Sequence, residues 1–214
     1  MRYRITIIVF LLIQSMVAFS QPAWKLIAEE EGIKVFSQPV TYSKIKALKV
    51  ECELKASSSE LVALLLDVDA AEDWVYHTKS CILLRKVSDS ELFYYSEVSL
   101  PWPLDNRDFV AHVKVTQDPA TKIVTVNAPA IPGWVTEKKG IVRINHSVGH
   151  WIIKPLQKGK IKLEYTLQVD PGGGVPAWAV NTFAAQGPIE SFKNMREQLE
   201  AAKYKNVALG FILN

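Results

Sequence analysis

Residues 101–110 read PWPLDNRDFV, directly after LFYYSEVSL at 92–100, which alternates in polarity like an ordinary strand. A proline has no N–H to give to a sheet ladder, so Pro101 and Pro103 end the pairing. Trp102 and Leu104 then put two large apolar groups into the break, and from Asp108 the alternation resumes as DFVAHVKV. The stretch is a strand break with an apolar load, and that load calls for an apolar partner. Arg107 and Asp108 are neighbours on the resumed strand and point to opposite faces. Each is therefore expected to pair with a different group and to fix the loop's exit, a structural rather than a catalytic role.

Working outward, the same period of two recurs in GIKVFSQPV (32–40), KIKALKVECEL (44–54), CILLRKV (81–87), KIVTVNA (122–128), GIVRINHSVGHWIIKP (140–155) and KIKLEYTLQV (160–169). In the last run Ile161, Leu163, Tyr165, Leu167 and Val169 share one face, and in the resumed strand Phe109, Ala111, Val113 and Val115 do the same. The runs are closely spaced, so antiparallel neighbours are expected, with turns at Asp118-Pro119 and Lys158-Gly159 and a bulge at Gly149.

Three segments depart from this pattern. QPAWKLIAEEEG (21–32) reads as a short helix. SSSELVALLLDVDAAEDW (57–74) opens with Ser57 and Glu60 at capping-box spacing and lines up Leu61, Leu64, Leu65 and Val68. The third helix is expected after PGGG (171–174), from near Pro176 to about Lys203, with Ile189, Phe192, Met195 and Leu199 on one side and a kink or split at Gly187-Pro188. This order gives an α+β chain with one large antiparallel sheet, which must curl. The concave face of such a sheet is either filled by the final helix or left hollow for a hydrophobic ligand, and the pattern leaves both open.

Arg2 and Arg4 precede an apolar run from Ile5, and Ala18 and Ser20 supply small residues for cleavage after Ser20. Residues 1–20 are therefore expected to be a signal peptide and 21–214 a single exported domain, periplasmic in a bacterium and otherwise secreted. The formal charge is +3, with no basic block, which points away from nucleic acid. Export would permit a Cys52–Cys81 disulfide, and two buried thiols fit equally well. The apolar tail VALGFILN (207–214) is expected to fold back on the sheet, contact with a bilayer being the other reading.

The motif at 101–110 resembles the signature of START lipid-transfer domains, in which an Arg-Asp-Phe run ends the loop and opens the next strand. Trp74, closing the second helical segment, resembles that family's tryptophan there, and GGGVPAWAVNTF (172–183) resembles the entry to its C-terminal helix. The resemblance spans roughly residues 24–202. It implies a helix-grip fold: a curved antiparallel sheet wrapped around a long C-terminal helix, with an internal hydrophobic tunnel holding one lipid. Phe109, Ala111, Val113, Val115, Leu163, Tyr165, Leu167, Trp178 and Thr182 would line the tunnel. Trp102 and Leu104 would form a lid buried against helix residues such as Trp178, and Trp74, Arg107 and Asp108 would be structural. Sterol-binding relatives can carry a buried arginine six positions beyond the motif arginine. Val113 stands there, so the lipid class stays open.

The resemblance implies a monomeric lipid carrier with transient membrane contact, no cofactor, no metal and no catalytic residue. The alternative is a cyclase- or hydrolase-like enzyme using the same cavity, which needs an acid or base inside it. The candidates are His77, His112, His146 and His150, with Tyr94, Tyr95 and Tyr165. His146 and His150 have HxxxH spacing, but on a strand four residues span about 13 Å, too far for one ion.

Overall fold

The computed structural model describes residues 23–41, 43–177, 180–181 and 184–213, and the expected signal peptide lies outside them. Ten strands form one sheet: β1 (Lys25–Glu30), β2 (Ile33–Val40), β3 (Ser43–Leu54), β4 (Thr78–Ser88), β5 (Glu91–Val98), β6 (Asn106–Gln117), β7 (Val124–Pro129), β8 (Ile141–Arg143), β9 (His146–Leu156) and β10 (Lys160–Asp170). Their order is β1-β2-β3-β10-β9-β7-β6-β5-β4. The neighbours on this path are antiparallel, while β8 pairs in parallel with the first residues of β6. The run at 140–155 is thus two strands, and β8 is an exception to the antiparallel expectation.

The segment at 21–32 is not a helix. Glu30 pairs with Ile33, leaving a two-residue turn in which Glu31 (φ 50°) and Gly32 (φ 75°) are both left-handed. That turn twists with the flanking strands and closes a hairpin, so β1 is a strand at the sheet edge.

Helix α1 (Ser58–Leu66) starts where the capping box places it: Glu60 N donates to Ser57 Oγ at 3.2 Å, and Ser57 N donates to Glu60 Oε2 at 2.7 Å. A 3-10 turn (Val68–Ala70) and a short α2 (Ala71–Trp74) follow, so the expected single helix is broken at Asp67. Helix α3 (Gln186–Gln198) closes the concave face with Ile189, Phe192 and Met195, and Leu199 follows at its end. The helix splits at 184–185, just ahead of Gly187-Pro188, so Pro188 falls in the first turn, where its missing N–H is no loss. It ends at Gln198 rather than near Lys203.

The register aligns the concave face in rows. Cys52, Leu163, Ile153 and Val124 form one, and Val50, Tyr165, Trp151 and Val126 the next. Phe192 of α3 stacks on Trp151, with ring centroids 5.7 Å apart, and tilts against Tyr165 at 6.1 Å. Gly149 lies in an unbroken register and marks no bulge. Tyr165 lies across it, its ring and hydroxyl 3.5 Å from where a Cβ would stand, an ordinary contact distance. Cys52 and Cys81 are buried free thiols, and burial pushes each up to about 12, too high for thiolate chemistry. The tail folds back: Ile212 is buried, Leu213 N donates to Gln117 Oε1 at 2.7 Å, and Gln117 Nε2 donates to Leu213 O at 2.8 Å. No described helix is long and apolar enough to cross a membrane.

Candidate functional site

The concave face has a packed end and an open end. At the packed end Val113, Val115 and Leu163 are 3%, 4% and 0% exposed, their surfaces taken up by core partners around α3. They lie on the face expected of them but leave no room for a ligand. One or two rows further on, Leu48, Phe109, Leu167 and Val169 continue the same face, half-buried and outside the core cluster. Ala111, Ala128 and Gly149, on three neighbouring strands, put small side chains or none beneath them. A cleft of about 400 Å³ opens at the strand ends beyond these rows, lined by Ala130, Ser147 and Val169 together with His146, Gln168 and Asp170. Helical residue Asn181 straps β3 here, its Nδ2 donating to Lys44 O at 3.2 Å and its Oδ1 accepting from Lys46 N at 3.1 Å.

The loop quoted at the outset borders the open end. Leu104 N donates to Pro101 O at 3.0 Å, closing a tight turn, and Leu100 N donates to Asn106 Oδ1 at 3.4 Å across its base. Leu104 is half-buried, but Trp102 is 93% exposed. The expected burial of Trp102 against the helix is therefore overturned, because the turn places its side chain at an outer corner. Trp178 and Thr182 lie outside the described residues.

Arg107 and Asp108 do point to opposite faces. Arg107 is buried and donates through Nε to Pro171 O at 3.2 Å, through Nη2 to Gly172 O at 3.3 Å and through Nη1 to Asp105 O. A guanidinium thus ties the loop to the hinge between β10 and the C-terminal helical segment through backbone carbonyls alone. Asp108, on the convex side, is gripped by both arms of Arg143: Nε–Oδ1 at 2.6 Å and Nη2–Oδ2 at 3.0 Å. Tyr95 adds its hydroxyl to Oδ2 at 3.1 Å, and Arg143 Nη1 reaches Val135 O at 2.9 Å. Arg143 was not singled out from the sequence. A cross-strand signal existed, since it is the basic residue on the strand that pairs with the motif, but no spacing announces a parallel partner 35 residues away.

Trp74, expected to be structural, is buried and meets Trp151 edge-on at 6.4 Å. Its Nε1 has no hydrogen-bond partner, the one buried side-chain polar atom in that state among the described residues.

Several carboxylate and histidine candidates are otherwise engaged. Glu97 faces Asp108 across β5–β6, a paired-carboxylate arrangement, yet it lies on the convex side. Lys79 Nζ at 2.8 Å and Asn106 Nδ2 at 2.9 Å hold the Glu97 carboxyl below its usual range. His112 bonds Glu91 at 2.7 Å and stacks on Phe93, and His150 bonds Asn127 at 2.7 Å. These too are convex-face positions. A groove of about 570 Å³ between α1, β4 and the tail is lined by Asp67, Asp69, Lys86 and Asp89, with Asp67 already bonded to Lys203 and Tyr204.

The START domain profile matches residues 11–205. An uncharacterized protein of Pseudomonas aeruginosa is 33% identical over 177 residues, 83% of this chain and 87% of its own. The phosphatidylcholine transfer protein of Bos taurus is 27% identical over 184 residues, 83% of this chain and 84% of its own. Among solved structures, a STAR-related lipid transfer protein fragment from Xanthomonas axonopodis superposes with a TM-score of 0.77 at 31% identity, over 83% of this chain and 99% of that one. Human StAR-related lipid transfer protein 5 superposes at 0.73 with 20% identity, a likeness of fold alone. A sheet gripping its C-terminal helix is common to them, the helix-grip arrangement.

The pairing in the motif predicts unequal stability effects. Arg143→Met leaves the buried Asp108 carboxylate without its cation, and urea unfolding should show a loss of about 3–5 kcal/mol. Arg107→Met strands only carbonyls and should cost less, about 1–3 kcal/mol. The reverse order would mean that the loop–hinge tie, and not the carboxylate pair, holds the motif.

Proposed function

The chain belongs to the START domain family, and on that premise we propose that it encloses one lipid between the concave sheet and its C-terminal helix and carries it between membranes. The observation that supports this most is the half-buried apolar surface of Leu48, Phe109, Leu167 and Val169, which the core does not use. Shielding about 400 Å² of a lipid's apolar surface is worth roughly 10 kcal/mol, so exchange requires a gate that opens. The loop 99–105 is the proposed gate, with Leu104 on its inner side and Arg107 as its tie to the hinge. Trp102 then serves a different purpose from the one its sequence suggested: an outward indole at the mouth suits transient contact with a membrane interface.

In this reading the protein is a monomeric carrier rather than an enzyme, and the engaged state of Glu97, Asp108, His112 and His150 supports it. Relatives named for phosphatidylcholine transfer favour a diacyl lipid over a sterol, as does Val113 in place of a buried arginine. The carrier is proposed to work outside the cytoplasm, and a mature N-terminus at Gln21 would check the leader; retention of Met1 on the exported protein would refute it.

Space is what the proposal requires, so filling it is the test. Ala128→Phe puts a ring into the open end from a half-buried position and should abolish uptake of fluorescent phospholipid from vesicles, with the thermal midpoint little changed. Val113→Trp would overpack the closed end and unfold the protein instead. Undiminished uptake by a folded Ala128→Phe protein would place the lipid elsewhere.

A further inference from the structure

The open end is not uniformly apolar. Tyr165 stacks on Trp151 at 4.0 Å and carries its hydroxyl over Gly149. Tyr94 enters the same face from β5, paired with Ala111 and edge-on to Phe109 at 5.9 Å. Neither hydroxyl has a hydrogen-bond partner among the described residues, though both rings are half-buried. The two hydroxyls thus have donors to offer on the concave face, within one aromatic cluster.

We propose that the Tyr94 and Tyr165 hydroxyls form a neutral donor station that holds an uncharged acceptor oxygen of the lipid, an ester or ketone carbonyl. This rests on the lipid-carrier reading and names the part of the lipid recognised. Desolvation pushes both tyrosines far above their usual range, and a charge on Tyr165 would raise Tyr94 further, so each stays an O–H donor. Register neighbours Leu48, Val50, Leu167, Ala111 and Ala128 carry no charge that could balance a phosphate or carboxylate. Arg107, on the same face of β6, is tied by Nε, Nη1 and Nη2 to the hinge and loop carbonyls. A carbonyl accepts such donors without bringing a charge beside the two rings, whereas a phosphate at that point would have only neutral register neighbours.

The test uses matched probes: phosphatidylcholine and diacylglycerol, each as the diester and as the diether that lacks the carbonyls, supplied in neutral vesicles. Wild-type protein should bind each diester more tightly than its diether, by about fivefold for each hydrogen bond lost. Tyr94→Phe with Tyr165→Phe keeps both rings and should erase that difference while diether binding and the melting temperature hold. Equal affinity of wild type for ester and ether, or a Phe variant that weakens both alike, would overturn the donor station and leave the carrier reading intact. If none of the four lipids binds to the wild type, the carrier reading falls and this inference with it.

Discussion

Helix α3 has 13 residues and is about 20 Å long, whereas β6 and β10 have 12 and 11 residues and run for about 35–40 Å. One helix of that length covers only part of the concave face laid under it. Phe192, Met195 and Leu199 fill the end they reach, packing on Trp151, Ile153 and Leu163 until no surface remains. The rest of the face carries Leu48, Phe109, Leu167 and Val169 outside the core cluster. Beyond α3 it is bordered by the loop at 99–105, the hinge at 171–174 and helical residue Asn181, which is tied to β3. The hollow is a consequence of unequal element lengths, with small residues at positions 111, 128 and 149 deepening it.

That border needs a firm anchor and a releasable one, and adjacent residues supply both. Asp108 belongs to a buried bidentate ion pair with Arg143 that clamps β8 against β6 from the convex side. Removing either partner leaves a bare charge, so this contact holds in any functional state. Arg107 points the other way and touches only carbonyls of the loop and hinge. Those bonds can be exchanged for water when the loop lifts, at far less cost than separating two buried charges. The two prolines keep the loop out of the ladder, which leaves it free to move without unzipping β5 from β6.

Much of this was legible in the chain. The alternation at 109–115 and 161–169 assigns the concave face correctly because one side of those strands is buried, and a period of two then leaves little choice of register. Strand β1 was misread for the opposite reason: Lys25–Glu30 is largely exposed on both sides, so its conformation is decided by the Glu31-Gly32 turn and its partner strand, not by its own pattern. The depth of the site could not be read either. Val113 and Phe109 share a face and a polarity, and only the reach of α3 separates a packed position from an open one. Trp102 was misplaced because hydrophobicity indicates that a group is apolar without saying which corner of a turn it occupies. Arg143 and the unpartnered Trp74 depend on contacts between distant segments, for which spacing offers no cue.

Native mass spectrometry of the protein purified without added lipid tests the central claim most directly. The account predicts a monomer with one bound lipid per chain, released on activation as a single diacyl species or a narrow family of them. A chain that carries no adduct, and stays bare after incubation with phosphatidylcholine and diacylglycerol vesicles, would contradict it. So would lipid bound in variable numbers that Ala128→Phe leaves unchanged, since that describes a greasy surface and not a built interior.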